Sequence, residues 1–124
     1  MRSSDGSADI YLLIAGLAVA CRHGFELDDA LDIAAKTYVD VNIHHAENAD
    51  RLKSLESLPD SCAASADCLE RQRSVFESRG VFPPAMIDGL IARLRSYDDR
   101  NLRADIGGNQ QAMLELVHRY FHCG

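Results

Sequence analysis

The chain has 124 residues, 47% of them apolar, with no tryptophan and a formal net charge of −6. That length implies one domain with one modest core, burying roughly two thirds of the unfolded surface. The 13 lysines and arginines are scattered, mostly as single arginines, which argues against the clustered basic footprint of a nucleic-acid binder and against a basic membrane-surface helix.

The apolar residues recur at helical rather than strand spacing almost throughout. After a polar start, MRSSDGSAD, the run Ile10 to Cys21 holds 12 residues without a charge. An export signal would need a basic start and a small-residue cleavage site; here Asp5 and Asp9 precede the run and Cys21-Arg22-His23 follow it. A membrane span takes about 20 apolar residues. A soluble, cytoplasmic protein is expected. A first helix is predicted from about Ala8 to His23, with Ser7 or Asp5 accepting from its free amides and Gly24 at the C-cap position. Ile10, Leu12, Leu13, Ile14, Leu17 and Val19 wrap its whole circumference. A helix apolar all round is buried all round, and a chain this short can hardly cover it, so a further partner surface is expected.

The second helix is predicted to start after Asp28 or Asp29 and to reach about Val39, with Ala30, Ile33, Ala34, Thr37 and Tyr38 facing inward. The polar stretch DVNIHHAENADRLKSLESLP follows, with a short helix over Asn48 to Ser57. Pro59 breaks it, and Asp60 or Ser61 caps a third helix, Cys62 to Arg79, ended by Gly80. Ala66, Leu69, Val75 and Phe76 mark one face of it, flanked by Cys62 and Arg73. Val81-Phe82-Pro83-Pro84 reads as a linker, and proline in a first turn opens a fourth helix, Pro84 to Tyr97. Its Ile87, Leu90, Ile91, Leu94 and Tyr97 form an i, i+3, i+4, i+7 stripe. Asp98 to Ile106 is a polar turn with one helical turn around Leu102, closed by Gly107-Gly108. A last helix, Asn109 to about His122, carries Met113, Leu116, Val117, Tyr120 and Phe121. The expected fold is all-α, five to six helices in one compact bundle spanning residues 1–124.

Few residues suggest chemistry. His44, His45 and Glu47 are potential metal ligands, but neighbouring side chains on a helix diverge by about 100°; only His44 and Glu47 could meet, and a solvated polar turn explains the group. His118 and His122 share a helix face at i, i+4, beside Cys123, without an identifiable third ligand; polar groups near a helix C-terminus explain them without a metal. No metal site is therefore assigned. Cys62 after Ser61 sits at a helix N-terminus, where a thiol's pKa falls, but no histidine is placed as its base, and capping accounts for Ser61. No catalytic residue is assigned. Cys21, Cys62, Cys68 and Cys123 lack CxxC spacing and are expected to be reduced thiols, three of them packed like small hydrophobes.

The stretch RSSDGSADIYLLIAGLAVA resembles a segment of the glutamine synthetase family that reads E-x-R-x-P-D-x-S-A-N-P-Y-L followed by a long small-residue helix. Arg2, Asp5, Ser7-Ala8 and Tyr11-Leu12 carry the match. Downstream, LPDSCAASADCLERQRSVFESRGVFPPAMIDGLIARLRSYD is similar to the C-terminal pattern of that family, through Leu58-Pro59, Leu69, Gly80-Val81 and Ile87. Gly6 stands where the family often has proline or a small residue, and Asp9 and Ile10 replace Asn-Pro. The resemblance implies that residues 1–7 are the remnant of an active-site strand and turn, and that Arg2 is a substrate-binding residue for glutamate or its γ-phosphate. A guanidinium suits that task, as a fixed fork for carboxylate or phosphate oxygens.

The family's metal-binding acids and nucleotide site would lie before Met1. The resemblance implies a parent ligase of nitrogen metabolism that uses ATP and Mg²⁺ or Mn²⁺, with no cofactor held by this chain and no activity in isolation. The partner surface would be the missing N-terminal catalytic portion, or a second copy in a homodimer. A free-standing helical interaction or regulatory module and a metal-binding helical domain are the alternatives.

Overall fold

The computed structural model describes residues 8–40 and 55–121. Among them are six α-helices and no strand: α1 (Ile10–Glu26), α2 (Ala30–Thr37), α3 (Cys62–Glu77), α4 (Pro84–Arg95), α5 (Leu102–Ile106) and α6 (Gln110–Tyr120). The all-α expectation holds. No single described helix is long and apolar enough to cross a membrane.

The core is built where α3 and α4 pack side by side and α1 lies against α3. Val19 of α1, Ala66 of α3 and Ile87 and Ile91 of α4 are buried together with Phe82, and Leu12, Ala15, Leu69, Val75, Phe76 and Leu94 surround them. Ala66 has no exposed surface; its single methyl lets α4 approach α3 closely. Phe82 belongs to the predicted linker yet is buried, its ring edge-on to Phe76 at 5.8 Å, an arrangement aromatic quadrupoles favour. Ion pairs flank this seam: Arg73 bridges Glu77 at 2.6 Å and Asp88 at 3.0 Å, and Arg95 reaches Asp67 at 3.0 Å and Glu70 at 2.6 Å.

Capping explains the helix boundaries. Asp9 caps α1, its Oδ1 accepting from Tyr11 N at 2.9 Å and Leu12 N at 3.1 Å. That corrects the expected cap at Ser7 or Asp5, which lie outside the described residues. Gly24 does not end α1 either: the helix runs through it to Glu26, where Arg22 and Arg79 gather the carboxylate. Ser61 caps α3 as expected, accepting from Ala64 N at 3.0 Å. After Glu77 the chain tightens into a 3₁₀ turn and reverses through Arg79 (φ 62°) and Gly80 (φ 69°), a left-handed exit for which glycine carries no Cβ penalty. Pro84 opens α4, which ends at Arg95 rather than Tyr97. Asn109 caps α6 through Ala112 N at 3.1 Å.

One expectation about packing is overturned. α2 stops at Thr37 and buries none of its residues; it touches α1 alone among the described helices. Among the described residues its predicted inner face stays largely exposed, Ile33 and Tyr38 included. α6 likewise buries nothing, meeting the five-residue α5 and, through Tyr120, the ring of Tyr97 at 6.3 Å. Most of the short helix predicted over Asn48 to Ser57 lies outside the described residues, and its end, Leu55 to Ser57, is not helical.

Candidate functional site

Two places in the fold invite a functional reading: the outward face of α1 and the cleft where α3 begins.

α1 has two apolar faces. One carries Leu12, Ala15 and Val19 into the core. The other carries Ile10, Ile14, Leu17, Cys21 and Phe25, spaced 4, 3, 4 and 4 residues apart, which puts them along one side of the helix. All five are exposed, Ile10 at 60%, Ile14 at 59% and Phe25 at 90%. The expectation of a helix buried on every face is thus met on one side only. Arg22, at the edge between the two faces, fixes the helix's rotation. Its guanidinium donates to Val75 O at 3.5 Å and to Ser78 Oγ, and its buried Nε faces Glu26 Oε2 at 3.8 Å. These bonds tie α1 to the end of α3 and point the uncharged stripe away from the core.

The second place is built by Asp99, on the turn after α4. Its Oδ2 accepts from Cys62 N at 2.7 Å and its Oδ1 from Ala63 N at 3.0 Å. Two of α3's unpaired amides are satisfied by a residue from another part of the fold, and the third by Ser61. The Cys62 amide first, then that of Ala63, holds the Asp99 carboxyl below the usual carboxylate range. Next to it, burial and then the Asp99 carboxylate push the Cys62 thiol up. This reverses the expectation of a lowered thiol pKa: burial first, and then the negative charge that caps the helix, outweigh the helix's pull on a thiolate.

Around this cap lies a cleft of about 440 Å³ lined by Asp60, Asp99, Arg103 and Met113, beside a second of about 410 Å³ lined by Cys62, Tyr97, Leu116 and Tyr120. Gly107 and Gly108 form part of the first wall, with Gly108 at φ 81°; as expected, they break the helix between α5 and α6. Both Asp99 oxygens are engaged by backbone amides, and the thiol beside it is pushed up by burial and by that carboxylate. The nearby Arg100 is spent on Asp67 at 2.6 Å, and Arg100 and Arg95 together keep that carboxyl below its usual range. Asp99 is a clamp, missed in the sequence because nothing local marks a cap that arrives from a distant turn.

Of the residues singled out by sequence, Arg2, His44, His45, Glu47, His122 and Cys123 lie outside the described residues. His118 stands in the last turn of α6. Among the described residues no three His, Cys, Asp or Glu side chains gather as a metal site. Cys21 is exposed and Cys62 and Cys68 are half-buried free thiols, so none of these three packs as a core hydrophobe; Cys68 instead accepts from Arg71 at 3.0 Å. Compared with known proteins, the chain matches no family model, no curated protein and no solved structure.

Proposed function

We propose that the chain is the helical C-terminal part of a glutamine synthetase-like ligase of the cytoplasm, packing behind a catalytic barrel supplied by another part of the enzyme. The observation that carries this reading is the outward stripe of α1. It begins at Ile10, within the stretch RSSDGSADIYL, whose Arg2, Asp5, Ser7-Ala8 and Tyr11-Leu12 resemble a segment of that family. A helix apolar on a second face is made to be covered, because uncovered apolar surface of this extent favours association. In this reading Arg2 engages the glutamate substrate or its γ-phosphate. ATP and Mg²⁺ or Mn²⁺ belong to the barrel, where metal ions and positioned donors stabilise phosphoryl transfer. The chain alone then forms no γ-glutamyl amide.

The test uses an antibody raised against the chain. In extracts of the source cells it should detect a polypeptide well above 124 residues that co-fractionates with ATP-dependent γ-glutamyl transfer. Detection only of a free 124-residue polypeptide, away from that activity, overturns the proposal, as does turnover by the purified chain.

The same stripe also favours a second reading, a helical module that binds a protein partner or a second copy of itself. Light scattering coupled to size exclusion separates the two cases. A dimer of the purified chain that Ile14→Glu converts to a monomer supports self-association through α1; a monomer in both forms counts against it.

A further inference from the structure

We draw no further inference here: the strongest candidate, the uncharged outward stripe of α1 formed by Ile10, Ile14, Leu17, Cys21 and Phe25, belongs to the reading already proposed, and nothing in the structure shows what covers it.

Discussion

Helices α4 and α6 carry nearly the same apolar pattern and meet opposite fates. On α4, Ile87, Leu90, Ile91 and Leu94 repeat at helical spacing, and Ile87 keeps 1% of its surface exposed. On α6, Met113, Leu116, Val117 and Tyr120 repeat the same way, and Val117 keeps 47%. What differs is the neighbour. α4 meets the small-residue face of α3 at Ala66 and is held there by Arg73 and Arg95. α6 meets a helix of five residues and one tyrosine ring. Periodicity creates a face; whether that face is buried depends on what the rest of the chain brings to it.

The sharpest way to break this comparison is to cut side chains from both helices. Ile87→Ala should cost about 2–5 kcal/mol, because it removes fully buried apolar volume and the surrounding core relaxes only partly. Val117→Ala should stay within about 0.5 kcal/mol, as substitutions at exposed positions usually do. Urea unfolding of the two variants reads both values; equal costs would show that α6 is buried in solution.

A smaller effect is expected at Asp99, which joins the start of α3 to the turn after α4. Asp99→Ala removes two caps and should cost about 1–2 kcal/mol. A carboxylate held below its ordinary value stabilises the fold at pH above that value, and the contribution disappears as pH falls through the folded-state pKa. Unfolding midpoints should therefore drop below about pH 4, more steeply in the parent than in Asp99→Asn. Parallel pH profiles would show that the carboxylate is not the clamp.

Hydrogen exchange extends the contrast to the backbone. Amides of α3 and α4 should exchange only through global unfolding. Those of α2 and α6 should open locally at little cost, having few buried contacts. α2 has 8 residues, below the roughly 12–15 at which an isolated helix becomes even marginal. Protection in α2 equal to that in α4 would contradict its lack of buried residues.

The smallest expected effect is chemical. With a thiol-alkylating reagent near neutral pH, peptide mapping should find exposed Cys21 modified before Cys62, whose thiol is half-buried and pushed up. Faster labelling of Cys62 would mean that the helix N-terminus activates it despite Asp99.

Much of the fold was legible in the sequence for local reasons. The stripe on α4 from Ile87 to Leu94, the face of α3 and the cap Ser61 depend on residues close together in the chain, and each stands where its spacing puts it. Phe82 was not legible, because one aromatic between Gly80 and Pro83 has no period and reads as linker. α1 extends past its expected end because glycine permits a C-cap without requiring one; Gly24 has open space around it and continues the helix. The inner face of α2 and the apolar stripe of α6 were legible as faces but not as unburied ones. Of the candidate sites, α1's excess of apolar surface was foreseeable from its composition. The Asp99 clamp was not, since its partners are 36 and 37 positions away.

That separation has a consequence for how the chain folds. The first turn of α3 is completed by a side chain 37 positions further along the chain, so its cap is in place only once the turn beyond α4 has docked. Closing that loop costs entropy before the two amide bonds repay it. A peptide covering α3 alone would fray at its N-terminal turn, held there only by Ser61. The beginning of α3 is local in its helical conformation and tertiary in its stability.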